Sequence, residues 1–413
     1  MHLLFLAPEP FFQERGTPIA VRLALEVLAK RNASRSQGEP PDRIDLLTYN
    51  EGIDIELTGV NILRISTPRI LHGVGPGISL KKLVCDLFFL IDAIRLVSSR
   101  RNDQYTLVHA VEESVFVAYL LKLIFGIPYI YDMDSSLAMQ LTEKWYLLKP
   151  FHALFALLER MVIKSSSAVV PVCDALAAIA DRNGSKFTSV LSDFSLMEEN
   201  PRPVGLRKEL QLQDDDELIL YIGNLEPYQG IDLLMDSFKK LRGQNEKAHL
   251  VIVGGREEHI ETYQKKAKAL DITSHVHLIG PRPLKDLGSY LVESDILVSP
   301  RVRGNNTPMK IYSFLHAGRP IVATAIYSHT QVLSHEVAEL AQPNSDDFSR
   351  ALSIVLNQPA RAQEIAKNAL KLARERYTYS AFSQQLNRIY DTIIPSVSRS
   401  KQSVSKTGKA RST

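Results

Sequence analysis

Residues 218–241 of the chain, LILYIGNLEPYQGIDLLMDSFKKL, carry the pattern that decides the fold. An apolar run over residues 218–223 leads into a turn that contains two glycines and a proline. The residues that follow, 231–241, place apolar side chains at helical spacing. The run is apolar on both faces, which is typical of a strand buried in a parallel sheet. This stretch therefore predicts one strand followed by one helix.

The same pattern recurs along the chain. Apolar, β-branched runs that predict buried strands lie at residues 2–7, 45–49, 106–111, 128–132, 168–173, 218–223, 249–254, 276–280, 296–300 and 320–324. Helical patterns separate these runs, and this alternation predicts right-handed βαβ units. The predicted fold class is α/β, with two doubly wound Rossmann-like domains. Because ligands of open α/β sheets bind beyond the carboxyl ends of the strands, we expect the domains to face each other across a cleft.

The chain has 413 residues, more than one hydrophobic core usually organises. A segment rich in Glu, Pro and Asp, residues 193–216, separates the two sets of strands. We therefore predict a first domain over residues 1–200 and a second over residues 201–378. The last helical pattern, residues 379–395, ends at Pro395. Residues 396–413 contain five basic residues, no acidic ones and many serines, which predicts disorder.

Composition narrows the class of protein. The chain is 45% apolar and 23% charged, as globular proteins are, and its formal net charge of +3 gives no case for nucleic acid. Its two cysteines, Cys85 and Cys173, lie in apolar runs, which favours a reduced, cytoplasmic setting with both thiols in the core. The first residues lack the basic start of a signal peptide. No apolar run reaches the ~18 uncharged residues of a membrane span.

A Thr-Pro pair precedes a helical pattern twice, at Thr17-Pro18 and at Thr307-Pro308. In each case we expect the threonine hydroxyl to cap the helix and the proline to fill its first position. Gly318 would then end the second helix in the left-handed conformation. A helix N-terminus favours phosphate, and Lys310 and Arg303 place cations beside the second one. This clustering favours a bound anion, although a lysine turned to water would give the same sequence.

The glycine turns at residues 223–230 and 254–255 follow strands in the same way. Their backbone could approach a diphosphate, or they could be structural turns only.

These segments together resemble the family 4 glycosyltransferases of GT-B architecture. The resemblance is carried by residues 221–234, 249–255, 276–280, 290–301 and 307–324, in matching order and spacing. The first domain is compatible through Gly16, His109-Ala110 and Ile127-Pro128-Tyr129.

The resemblance implies a retaining sugar transfer from a nucleotide diphosphate sugar, with no cofactor and no metal. The second domain would bind this donor, the first would hold a glycan or lipid-linked acceptor, and the final helix would cross back to the first domain. Polysaccharide or glycolipid biosynthesis is the expected setting.

The sequence departs from the family pattern at the donor site. Asn305 and Ser313 occupy the positions of two usual glutamates, the second of which holds the ribose. Asn224 and Gln229 occupy the positions of a basic pair beside the diphosphate. Neutral amides cannot offset phosphate charge, so we expect the charge to come from other side chains nearby, namely Lys310, Arg303 and Arg282.

The expected catalytic residues are Lys310 and Arg303 on the donor side, and His109 and Asp134 on the acceptor side. For Asp134 the resemblance is to a histidine of the family. His109 could equally be a satisfied structural residue, and the neighbouring Glu112 and Glu113 could be helix-start charges. The expected donor-binding residues are Gly16, Thr17, Gly223, Asn224, Tyr228, Gln229, Arg282, Asn305, Asn306, Thr307, Met309 and Ser313.

Three other functions remain open: a nucleotide-sugar epimerase, a phosphorylase, or a non-catalytic donor-binding protein. A dinucleotide oxidoreductase fits poorly, since no Gly-x-Gly-x-x-Gly follows an early strand. Two apolar segments with basic flanks, residues 80–96 and 145–161, are either core-facing helices or helices that rest on the inner face of a membrane.

Overall fold

A computed structural model describes residues 1–14, 16–33, 42–75, 79–100, 104–144, 146–198 and 200–409. The chain divides into two compact units. The first unit comprises residues 1–192 together with the chain after residue 381, and the second comprises residues 193–381. The division falls at the start of the polar segment, close to the predicted boundary at residue 200.

The first unit is built on a six-stranded parallel sheet with the order β3-β2-β1-β4-β5-β6. Its strands are β1 (His2–Ala7), β2 (Arg43–Thr48), β3 (Val60–Arg64), β4 (Leu107–Val111), β5 (Tyr129–Met133) and β6 (Ala168–Pro171). Its helices up to the junction are α1 (Gly16–Ala33), α2 (Leu80–Ser99), α3 (Ser114–Phe125), α4 (Leu137–Lys144), α5 (His152–Ser165) and α6 (Asp174–Arg182).

The second unit repeats this plan with the strand order β12-β11-β10-β7-β8-β9. Its strands are β7 (Glu217–Ile222), β8 (Ala248–Val253), β9 (Val276–Gly280), β10 (Ile296–Ser299), β11 (Ile321–Thr324) and β12 (Glu339–Ala341). Its helices are α7 (Leu206–Glu209), α8 (Ile231–Arg242), α9 (Glu257–Ala269), α10 (Leu287–Glu293), α11 (Lys310–His316), α12 (Tyr327–Thr330), α13 (Ser345–Asn357) and α14 (Pro359–Arg376).

Both sheets reverse their strand order beside the first strand of the unit, β1 or β7, which is the topology of doubly wound domains. The predicted α/β class with two Rossmann-like domains is confirmed. The predicted strands form because they are apolar on both faces, and every residue of β1 is buried. Cys85 and Cys173 are free thiols buried in the core of the first unit, as expected.

Two strands escaped the sequence analysis, β3 and β12, and both lie at a sheet edge. β3 is only partly buried and contains Asn61 and Arg64, so its sequence lacks a continuous apolar run. β12 has three residues. Edge strands are covered on fewer sides than central ones, so apolar patterning marks them weakly.

The last helix, α15 (Tyr379–Lys409), is longer than predicted. The expected end at Pro395 and the expected disorder beyond it are not seen, because the helix continues through Pro395 to Lys409. The sequence after Pro395 contains no further proline and no glycine before Gly408, so it offers no strong stop signal. Residues 410–413 lie outside the described residues.

No helix in the described part of the chain is both long and apolar enough to cross a bilayer.

Candidate functional site

Glycines line the carboxyl ends of β7 and β8 in the second unit. Gly223 and Gly254 follow these strands with φ angles of +148° and +111°. A Cβ atom on Gly254 would lie 2.2 Å from the carbonyl oxygen of Gly223, and one on Gly223 would lie 3.3 Å from Nζ of Lys310. Only glycine fits at Gly254, and the backbone at Gly223 lies beside a lysine ammonium.

Lys310 is the first residue of α11 and its side chain is held over the ring of Tyr221, with Nζ 3.9 Å from the ring centroid. Nζ also donates a weak hydrogen bond to Oε1 of Gln229 at 3.5 Å. Burial lowers the pKa of Lys310 well below its ordinary value, and the nearby Arg301 guanidinium lowers it further. Within the described ranges no carboxylate pairs with Lys310. The charged form of Lys310 is therefore disfavoured in this site, and a bound anion would favour it.

Arg301 organises the loop that leads to α11. The residue is 7% exposed, and its guanidinium donates to the carbonyl oxygen of Arg303 at 2.6 Å. It also donates to the carbonyl and side-chain oxygens of Asn306, both at 3.0 Å, and it stacks on Tyr228 at 5.3 Å. Gly304 has φ of +124°, and a Cβ there would lie 2.0 Å from the guanidinium. The sequence predicts cations at this loop, but Arg301 is not among the predicted site residues.

The prediction that Thr307 caps the following helix is wrong. α11 begins three residues later, at Lys310, with Met309 in the capping position and no side-chain cap. Thr307 is 2% exposed, and its hydroxyl has no hydrogen-bond partner in the described part of the chain. A buried hydroxyl of this kind is normally paired, so its natural partner is a bound ligand or a water.

Gly16 and Thr17 also differ from the expected capping geometry. α1 begins at Gly16, so Thr17 lies within the first turn of the helix and not ahead of it. A Cβ on Gly16 would meet no atom within 4 Å, so that position does not require glycine for space.

Ser313 and Asn305, which replace the usual glutamates, are both engaged within the protein. Ser313 is 1% exposed and its hydroxyl oxygen accepts from the amide of Leu196 at 3.1 Å. The carbonyl oxygen of Asn305 accepts from Nε2 of Gln331 at 2.7 Å. The structure does not support a ribose contact by Ser313, because its side chain is covered.

The two amides that replace the basic pair differ in surroundings. Asn224 is exposed and donates to the hydroxyl of Tyr228 at 3.4 Å, whereas Gln229 is buried beside Lys310. Arg282 is not brought to this group by any contact among the described residues. It pairs instead with Glu209 at 2.7 Å, so its predicted donor role lacks support.

A buried histidine that the sequence analysis missed fixes the backbone of Arg301. Nδ1 of His329 donates to the carbonyl oxygen of Thr324 at 2.9 Å, and Nε2 lies 2.9 Å from Oγ of Ser299. Burial lowers the pKa of His329 to about 3, so the ring is neutral and Ser299 donates to Nε2. The hydroxyl of Thr324 donates in turn to the carbonyl oxygen of Arg301. These residues are far apart in sequence and form no recognisable motif.

His109 in the first unit has a structural role, which corrects its prediction as a catalytic residue. The side chain is fully buried and stacks on Phe5 with ring centroids 4.3 Å apart. Its Nδ1 lies 2.8 Å from the hydroxyl of Tyr390 in α15, and its Nε2 lies 3.1 Å from Asp132. Both ring nitrogens are therefore engaged: Nδ1 holds the last helix on the sheet, and Nε2 joins β4 to the neighbouring β5. Asp134, half-buried just beyond β5, stays a prediction.

A cluster of titratable groups lies near the carboxyl ends of β4 and β5. Glu112 has a left-handed φ of +50°, and its carboxylate accepts from Oγ of Ser135 at 2.7 Å. Burial and the neighbouring Glu113 raise its pKa to about 8. Glu113 itself pairs with Lys82. Glu112 and Glu113 are therefore more than helix-start charges, which is one reading that the sequence allowed. Glu112 is held in a strained backbone conformation beside the end of β4.

Comparison with known proteins identifies the second unit. Residues 205–372 match the family "Glycosyl transferases group 1". The phosphatidyl-myo-inositol mannosyltransferase of Mycobacterium leprae is 25% identical over 186 residues, which cover 44% of this chain and 48% of that protein. The chain thus spans about half the length of the curated relatives it matches.

Solved structures match almost the whole chain. Sucrose-phosphate synthase from Thermosynechococcus elongatus superposes with a TM-score of 0.74 at 19% identity, covering 96% of this chain and 99% of that one. HepE of Anabaena, solved in complex with UDP-glucose, superposes with a TM-score of 0.71 at 15% identity, covering 95% and 100%. Residues 205–372 therefore match the glycosyl transferases group 1 family, and the chain has the GT-B fold of these solved structures.

Proposed function

We propose that the protein is a glycosyltransferase that uses a nucleotide diphosphate sugar as its donor. The observation that carries the proposal is Lys310, a lysine held among uncharged groups and Arg301, at the glycine-lined edge of the second sheet. Holding this buried lysine in its charged form beside Arg301 costs free energy unless an anion occupies the site. The superposition on HepE, which was solved with UDP-glucose, makes a nucleotide sugar the first donor class to test.

In the proposed complex the donor diphosphate lies against Lys310 and the backbone at Gly223. The absence of a side chain at Gly223 lets the phosphates approach the main chain. The orphaned hydroxyl of Thr307 gains a hydrogen-bond partner from the ligand. Arg301 acts mainly through the loop that it holds together, because its donors are already engaged by Arg303 and Asn306.

The chemistry that we propose needs no protein nucleophile and no metal ion. The bond between C1 of the sugar and the phosphate oxygen breaks, and its electron pair passes to the diphosphate. An acceptor hydroxyl attacks C1 on the same face, and its proton passes to the departing phosphate oxygen, so the anomeric configuration is retained. Lys310 stabilises the charge that develops on the leaving group, the kind of contribution that often dominates such catalysis.

For the acceptor we propose a glycan or a lipid-linked molecule held by the first unit. The mycobacterial relative is named for a lipid, phosphatidyl-myo-inositol, so a lipid acceptor is the first choice to test. Asp134 and the Glu112 cluster are the polar groups of the first unit that could orient an acceptor hydroxyl.

A thermal-shift screen of UDP-, GDP- and ADP-sugars tests donor binding, since a ligand that binds only the native state raises its Tm. The selected donor is then incubated with an acceptor panel, and NMR identifies the anomer formed. Donor conversion without any acceptor would indicate an epimerase instead. If no nucleotide sugar shifts the Tm, or if Lys310→Ala binds the donor as well as the wild type does, the proposal is wrong.

A further inference from the structure

Three neighbouring helices of the first unit expose apolar side chains to solvent. α2 connects β3 to β4, α3 connects β4 to β5, and α5 lies between β5 and β6 in the chain. All three connections run across the sheet in the direction from β3 to β6, so right-handed crossovers place these helices on the same face of the sheet. α3 contacts both α2 and α5. The exposed apolar residues are Leu80, Leu83, Val84, Leu87 and Ile91 on α2, Leu120, Leu123 and Ile124 on α3, and Leu154, Leu157 and Met161 on α5. We call these residues the α2–α5 face.

The exposure on this face is large, at 78% for Leu80, 63% for Leu123 and 61% for Leu157. On α2 the exposed residues follow the spacing i, i+3, i+4, i+7 and i+11, which is one stripe of a helix. Isolated surface leucines are ordinary, but stripes on three adjacent helices indicate an interaction surface.

The acidic side chains of these helices are engaged within the protein, whereas their exposed charged side chains are basic. All three helices are described in full, and none of their exposed positions carries a carboxylate. Their three acids are engaged elsewhere: Asp86 by Tyr49, Asp92 by the amide of Ser66, and Glu159 by Ser136 and the amide of Leu137. The charged residues that do lie exposed on these helices are the cations Arg95, Arg160 and Lys164.

We propose that the α2–α5 face docks on an anionic lipid bilayer. The leucines enter the boundary between headgroups and acyl chains, and Arg160 and Lys164 meet lipid phosphates. A second copy of the chain fits less well, because a two-fold interface would bring the same cations together. The proposal rests on the proposed function in one respect: docking brings the enzyme to a lipid-linked acceptor. The binding itself needs neither donor nor acceptor.

Vesicle flotation tests the docking without any glycosyl transfer. The full chain is mixed with vesicles of phosphatidylcholine alone, or of phosphatidylcholine and phosphatidylglycerol at a ratio of about 7:3. We expect flotation with the anionic vesicles, weakened by salt, and little with the neutral ones. Arg160→Gln together with Lys164→Gln should lower the partition about 30-fold, since each cation near such a surface contributes roughly fivefold.

Leu87→Glu and Leu157→Glu should abolish flotation, while Val204→Glu, at an exposed apolar position of the second unit, should leave it unchanged. Circular dichroism and Tm of each variant show whether it is folded. Three results would overturn the proposal: no flotation of the wild type, equal flotation of folded variants, or a wild-type dimer in sedimentation that Leu87→Glu converts to a monomer. Donor binding measured by thermal shift is independent of all three, so failure of the docking and failure of the proposed function are told apart.

Discussion

Replacement of Lys310 by methionine should change activity and stability in opposite directions. Methionine keeps an unbranched chain over the Tyr221 ring but removes the charge. A phosphate seated ~4 Å from Nζ, at an effective dielectric constant of about 20, would gain about 4 kcal/mol from this lysine. Loss of one such stabilising group in other enzymes costs ~2.7–4 kcal/mol. We therefore expect kcat/KM to fall by a factor of about 10²–10³.

The donor-free protein should become more stable in the same variant. The lowered pKa of Lys310 shows that its ammonium is disfavoured by burial and by Arg301 in the ligand-free state, so its removal relieves that cost. The assay combines donor turnover with Tm measured with and without donor. Lys285→Met, at an exposed position in the same unit, serves as the matched control and should change neither quantity.

Two results would refute this reasoning. Full turnover by Lys310→Met would show that the lysine does not meet the diphosphate. A lower Tm of the donor-free variant would show that the ammonium stabilises the fold through Tyr221 and Gln229 and does not wait for an anion.

Three further predictions concern stability. Burial and two neighbouring histidines lower the pKa of His277 to about 4 in the folded protein, below its ordinary value of 6.5. Between these two values the unfolded chain binds a proton that the folded protein does not, so the free energy of unfolding should fall as the pH drops from about 6.5 to 4. Urea unfolding of His277→Gln should show a weaker pH dependence. Gly230→Ala should lower the free energy of unfolding by more than the ~1–2 kcal/mol of a left-handed alanine, because the added Cβ would lie 2.0 Å from a carbonyl oxygen. Gly184→Ala serves as its control: Gly184 has φ of +83° and open space around it, so in the same urea titration this variant should lose only those ~1–2 kcal/mol. His109→Leu should cost ~1–3 kcal/mol by orphaning the Tyr390 hydroxyl, and a double variant with Tyr390→Phe should recover part of that loss of unfolding free energy.

Most of the fold could be predicted because central strands of parallel sheets are apolar on both faces. The run at residues 2–7 is such a strand, and its predicted bounds are those of β1. The edge strand β3 escaped because partial exposure admits Asn61 and Arg64, which interrupt the pattern.

Only those features of the candidate site that lie within one short segment of sequence could be predicted. Lys310 stood out in the sequence because a cation at a helix start opposes the helix dipole. The Thr307 cap failed because capping depends on where the chain turns into the helix, and that turn occurs three residues later. The chain from Ser299 through His329 and Thr324 to Arg301 joins two strands and a helix, and no spacing rule within one segment reveals such contacts.

The contact of Tyr390 in α15 with His109 determines the order in which a ribosome can complete the two units. β1 to β6 are synthesised first, but the helix that covers His109 is made only after all of the second unit. During synthesis the nascent first sheet therefore lacks the partner of a fully buried histidine, while the second unit already has every strand that it needs. The unit that begins the chain is thus the last to be finished.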